Sequence, residues 1–85
     1  MKEYVSVDVE TTGLAPKQDK IIEIGAVRVR DGQIVESFTS FVNPGRILPA
    51  HIIELTGILQ EQVDEAETME SVLPAFLEFA GDLPL

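Results

Sequence analysis

The sequence contains no cysteine, which removes disulfides and thiolate metal sites and fits a reducing cytoplasm. Basic residues are scarce: six Lys and Arg stand against fifteen Asp and Glu, a formal net charge of −9. Such a surface cannot wrap nucleic acid by neutralising many phosphates, so any contact of that kind must be local or metal-mediated. Long apolar runs are missing too. Met1 to Tyr4 leads straight into a strand-like alternation with no small-residue cleavage site behind it, so neither secretion nor membrane insertion is expected, and a cytoplasmic location is. Internal repeats, low-complexity tracts and linkers are also absent.

What is present is an ordinary globular balance, 45% apolar and 25% charged residues in a chain of 85. That length has room for one domain, and a domain of this size buries only about 60–65% of its unfolded surface, so a packed but marginal core is expected.

From Tyr4 the pattern alternates, with Val5, Val7 and Val9 on one face and Tyr4, Ser6, Asp8 and Glu10 on the other, which predicts a first strand. Thr11, Thr12 and Gly13 break it, and a polar loop follows to Asp19. Ile21 to Val29 is β-rich, with Gly25 marking either a bulge, a close approach or a tolerated glycine. Asp31-Gly32 is a two-residue hairpin signal before Ile34 to Val42, so the second and third strands are expected to be antiparallel neighbours. Asn43-Pro44-Gly45 closes that unit. Pro49 can open a short helix through Leu55, with Gly57 as its stop. Met69, Val72, Leu73, Phe76, Leu77 and Ala80 then keep helical spacing after a possible Thr68 cap. Asp82 to Leu85 resembles the approach to a further strand, parallel to one of the first three.

Asp8 and Glu10 carry the chemistry. Two apart on a strand, both carboxylates leave the same face about 6.5–7 Å apart at the backbone and can converge on one cation. Placed together without a partner they would repel; a divalent cation removes that penalty, and hard oxygen ligands favour magnesium or manganese. Taken alone, Asp-x-Glu more often marks only the solvated face of an amphipathic strand. Glu23 reads as a structural hydrogen-bond or ion-pair group, Arg28 and Arg30 as a solvated strand face opposite acids, His51 as a surface or capping residue, and Phe76 and Phe79 as core.

The company of the acidic pair narrows the choice. Asp8-Val9-Glu10-Thr11-Thr12-Gly13-Leu14, then Ile21-Ile22-Glu23-Ile24-Gly25-Ala26-Val27, then Leu55-Thr56-Gly57-Ile58 with Val63 behind, together resemble the DEDD proofreading-exonuclease family related to the epsilon subunit of bacterial DNA polymerase III. Asn43-Pro44 and Ile53 to Ile58 resemble the exonuclease domain of Gram-positive replicative polymerases in particular. The resemblance covers nearly the whole chain and implies an α/β, ribonuclease H-like fold, here truncated to three antiparallel strands plus packed helices, with residues 1–85 as the N-terminal half of a single exonuclease domain.

The resemblance further implies metal-dependent 3′ to 5′ hydrolysis of terminal phosphodiester bonds with two Mg2+ or Mn2+ ions. Asp8 and Glu10 would be metal ligands and catalytic residues, Asp8 bridging both ions and Glu10 also holding the terminal 3′-hydroxyl. The backbone at Thr11 and Thr12 would contact the terminal nucleotide, with Leu14 and Leu55 flanking its base or sugar. The partner would be a single-stranded DNA 3′ end, with RNA as a variant, and a replicative polymerase or a fused helicase or polymerase is the implied assembly context. The family's second aspartate, histidine base and final aspartate have no counterpart in these 85 residues. The expectation is therefore an isolated chain that is inactive and either self-associates or is unstable; a non-catalytic nucleic-acid-binding or assembly module is the alternative.

Overall fold

A computed structural model describes residues 2–13, 15 and 18–84. Three strands, β1 (Glu3–Thr11), β2 (Ile21–Arg30) and β3 (Gln33–Phe41), form an antiparallel sheet in the order β1-β2-β3. Three helices follow: α1 (Ala50–Thr56), α2 (Gln60–Asp64) and α3 (Met69–Ala80).

The β2–β3 hairpin forms where the sequence asks for it. Asp31 and Gly32 both have positive φ, 49° and 82°, the pairing of signs that a type I′ turn needs to match strand twist. Asp31 does more than turn the chain. Its amide donates to the Lys2 carbonyl at 2.8 Å and its Oδ1 accepts from the Lys2 amide at 2.9 Å, pinning the start of β1 to the hairpin. The sheet is irregular at two places, opposite Ile22 and opposite Val35, and runs regularly through Gly25. A Cβ on Gly25 would meet only the Asp8 carbonyl at 3.9 Å, an ordinary contact, so Gly25 is neither a bulge nor a forced close approach.

Two hydrophobic clusters hold the helices. In the larger, Val5, Ile24, Ala26 and Val42 of the sheet side meet Val72, Phe76 and Ala80 of α3. Phe38 packs edge-on against Phe76 with ring centroids 5.9 Å apart and tilted against Phe79 at 5.6 Å, so both phenylalanines of the helix are core as expected. In the smaller cluster Ile22 meets Leu48, Ile52, Ile58 and Val63, with Phe41 alongside. This cluster seats α1 and α2 at the end of the sheet where β1 finishes and β2 begins.

The expected apolar faces are only partly covered. Val5 is buried but Val7 and Val9 are about 40% exposed, at 39% and 41%. On α3, Leu73 and Leu77 stay exposed, because anchoring through Phe38 sets the helix over β2 and β3 and leaves its other flank uncovered. β1 is an edge strand within the described residues, and the Val5 amide there donates to the Pro84 carbonyl at 2.8 Å. The chain after α3 therefore returns to β1, as the sequence suggested.

Helix ends explain the remaining boundaries. Gly57 takes a left-handed φ of 76° and its amide caps the Ile53 carbonyl at 2.9 Å. Pro49 stands one residue before α1 as its N-cap, and Thr68 is the N-cap of α3 but makes no side-chain capping bond. The sequence reading missed α2, whose start has leucine where Ser, Thr, Asp or Asn would signal a helix. Gln62 supplies the cap by reaching back, its Oε1 accepting the Leu59 amide at 2.8 Å.

Arg28 is not part of a solvated face. Its guanidinium pairs with Glu36 at 2.7 Å, donates to the Phe79 carbonyl and lies 5.0 Å from the Phe79 ring centroid. A cation thus meets the carbonyl-rich end of α3, which the helix dipole favours. Arg30 is the solvated one, 3.4 Å from Glu3. α3 runs unbroken through the exposed Pro74, which lacks a donor for the Glu70 carbonyl. Pro74→Ala should therefore raise stability by about 1–3 kcal/mol, read as a higher denaturation midpoint at unchanged slope. An equal or lower midpoint would show that the helix gains nothing from the restored bond.

Candidate active site

β1 and β2 are paired so that Asp8 lies opposite Gly25 and Glu10 opposite Glu23. Directly opposed residues of an antiparallel pair share a face, so Asp8, Glu10 and Glu23 project on the side away from the Val5–Ile24–Ala26 cluster. Asp8 is exposed and Glu10 half-buried. Asp8 lines a shallow open concavity of about 260 Å³ with Ser6, Gly25, Val27, Ser37 and Thr39. Gly25 contributes no side chain beside Asp8, which keeps the ground next to that carboxylate clear.

Among the described residues neither Asp8 nor Glu10 has a cationic partner. Among the described residues the ion pairs are Arg28–Glu36 and Arg30–Glu3, and no side-chain hydrogen bond engages either acid. Glu23, read from the sequence as a hydrogen-bonded or ion-paired group, makes no such contact among them. It faces Glu10 instead, a pair of like charges directly across two strands. The donor set consists of hard oxygens with unspent negative charge, which fits a divalent cation of the magnesium type. It is a partial set, since no group of three or more His, Asp or Glu side chains able to hold a metal occurs among the described residues.

The segment after Glu10 is tightly built. Thr12 is 3% exposed, a buried polar residue amid an apolar core. Its amide donates to the Lys20 carbonyl at 2.9 Å, its hydroxyl donates to Asp19 Oδ1 at 2.9 Å, and the same oxygen accepts from the Lys20 amide at 2.9 Å. The Thr12 amide is therefore spent inside the protein and cannot donate to a nucleotide. Thr11 turns its hydroxyl to the Gly13 carbonyl at 2.5 Å. Asp19 also accepts from the Ala15 amide at 2.9 Å. That bond, then the Thr12 hydroxyl, then the charges of Arg46 and His51, hold its carboxyl below the usual aspartate range.

The other sequence-derived residues are placed as follows. Leu55, on α1, is 79% exposed, so the core makes no use of it, and α1 hangs at the Glu10 end of the sheet through Ile22 and Phe41. Leu14 lies outside the described residues. His51 is exposed on α1. Two features escaped the sequence reading: Glu23 opposite Glu10, which needs the strand register, and the Thr12–Asp19 contact, which needs the path of the loop.

With the geometry in view, comparison with known proteins is decisive. A profile of the exonuclease family, of the RNase T type, matches residues 5–83. The chain belongs to this exonuclease family. Among curated proteins, the PolC-type DNA polymerase III of Clostridium perfringens is 54% identical over 80 residues, covering 94% of this chain and 6% of the polymerase. Among solved structures, the nuclease domain of 3′hExo, described as a DEDDh family member and bound to rAMP, superposes with a TM-score of 0.79 at 31% identity, covering 91% of this chain and 42% of that one. Exonuclease X in complex with 5′ overhanging duplex DNA gives a TM-score of 0.75 at 32% identity over 86% of this chain and 42% of that one. The fold is thus the ribonuclease H-like α/β fold of these exonucleases. The chain spans well under half the length of each relative. DEDD exonucleases use divalent metal ions, in keeping with carboxylates that have no ion-pair partner among the described residues.

Two measurements follow from the site. Glu23→Gln removes a like charge opposite Glu10 and is expected to stabilise the metal-free protein by about 0.2–1 kcal/mol, with a smaller gain in excess Mg2+; equal gains in both conditions would show that Glu10 and Glu23 do not share a field. For Asp19, a lowered folded pKa means its stabilisation is fully present above the ordinary aspartate value near 3.9 and is lost as pH falls through the lower folded value. The melting difference between wild type and Asp19→Asn should hold from neutral pH to about pH 4 and shrink below it. A difference that instead grows on acidification would contradict the assignment.

Proposed function

We propose that this chain is the N-terminal half of a single exonuclease domain that removes nucleotides from 3′ ends, single-stranded DNA being the substrate and the cytoplasm the place of action. The observation that carries the reading is the acidic pair Asp8 and Glu10 on one face of β1, without ion-pair partners among the described residues, in a chain whose family is exonuclease. In this reading Asp8 and Glu10 hold two Mg2+ or Mn2+ ions. Bound there, the ions supply activation of water and charge stabilisation at the leaving 3′ oxygen. The carboxylates themselves bind metal and orient; they do not attack.

The surrounding residues then bind and position. Thr11 offers its main chain to the terminal nucleotide, and Thr12 contributes by holding that main chain in place. Leu55, exposed on α1, supplies an apolar surface for a base or sugar, and Leu14 is assigned the same task from the sequence. An RNA end is accommodated by the same groups, since discrimination at the 2′-hydroxyl needs contacts beyond these. The 54% identity to a PolC-type polymerase supports a replicative polymerase as the assembly context.

The partial donor set motivates a second reading, a non-catalytic nucleic-acid-binding or assembly module. An in-frame second aspartate, and later a histidine followed by an aspartate, encoded beyond the Leu85 codon would support the enzyme; a stop codon there would support the module. The direct test is digestion of a 5′-labelled single strand by the intact domain. Stepwise shortening from the 3′ end that needs divalent metal and falls by at least about a thousandfold in Asp8→Ala is expected, with residues 1–85 alone inactive. Shortening that survives Asp8→Ala would sink the assignment.

A further inference from the structure

We infer that Asp19 is a positioning residue: through the buried Thr12 hydroxyl it sets the main chain from Thr11 to Gly13, and so fixes the Glu10 carboxylate and the seat of the terminal nucleotide. The inference rests on the exonuclease reading and adds to it a residue outside the acidic pair.

The need for such a device lies in the sheet. Regular pairing of β1 with β2 stops after Glu10, where the register shifts and Ile22 has no partner on β1. A carboxylate at the last regular rung inherits the freedom of whatever follows, and here Thr12 takes over what the ladder gives up. A hydroxyl has one donor and two acceptor positions. That of Thr12 gives its proton to Asp19 and accepts from the Lys20 amide, so its rotor is fixed and its donor spent. Asp19 completes the closure with its other oxygen on the Ala15 amide.

Gly13 shows that the fit is specific. An ideal Cβ there would stand 2.5, 2.8 and 2.9 Å from the three atoms of the Asp19 carboxylate, so the acid lies directly on the glycine and a side chain at 13 would displace it. Gly13 does not have positive φ, so its constraint comes from the acid and not from its own backbone. The loop is also tied outward, Arg46 donating to the Gln18 carbonyl at 2.6 Å, on the segment that leads into α1 and Leu55.

The test uses the intact protein with Asp19→Asn, Thr12→Val and Thr12→Ser, beside Asp8→Ala. Asp19→Asn and Thr12→Val should raise the metal concentration for half-maximal hydrolysis, and the Kd for Mn2+ measured by electron paramagnetic resonance, about tenfold, the scale of outer partners of metal ligands. Saturating metal should recover part of the lost rate, because the bound ion restores part of the missing order. Thr12→Ser, which keeps the hydroxyl, should restore both constants. A purely structural role would lower the melting temperature of the variants and leave both constants unchanged, and that result would overturn the inference. If Asp8→Ala alters neither hydrolysis nor Mn2+ binding, the exonuclease reading itself fails, and this inference with it.

Discussion

A slip of β1 by one residue against β2 would turn Asp8 and Glu10 into the α3 core and bring Val5 out of it, since strand side chains alternate with a period of two. The candidate site therefore depends on that register before it depends on any carboxylate. Both ends of β1 are fastened by hydrogen bonds that a slipped strand could not make. At the start, Lys2 exchanges two bonds with Asp31 of the hairpin turn. At the finish, Thr12 and Lys20 exchange main-chain and hydroxyl bonds. Between them Val5 is buried to 1% and anchors the face.

The rest of the molecule is arranged around this pinned strand in two parts. One cluster places α3 on the sheet face opposite the acids, with Arg28 closing the helix end. The other places α1 and α2 at the end of the sheet where the acids project, with Gln60 joining the Leu48 amide and the Arg46 carbonyl to α2. Apolar surface is left over at Val7, Val9, Leu73 and Leu77, and this matches a chain that covers less than half of the solved exonucleases it superposes on.

Much of this was legible in the sequence because the signals are local. The Asp31-Gly32 turn, the Gly57 stop, the α3 stripe and the alternation of β1 each follow from a few adjacent residues. The carboxylates Asp8 and Glu10 are two apart, so their common face follows from strand geometry alone. What escaped was set by partners distant in sequence. Glu23 becomes a neighbour of Glu10 only once the strands are in register. Arg28 leaves solvent only because Phe79 and Glu36 arrive beside it. α2 lacks a starting signal because its cap comes from Gln62 inside the helix. Val7 and Val9 were assigned to a buried face correctly in direction, but the elements described here do not reach far enough to bury them.

The contact between Gly13 and Asp19 has a consequence for how the sequence can vary. A side chain at position 13 would displace the carboxylate at position 19, so the two positions, separated by five residues, constrain each other. A methyl group at 13 gains room when 19 is shortened, and a shortened 19 takes the acceptor from the Thr12 hydroxyl, so a change at one of the three is felt at the other two.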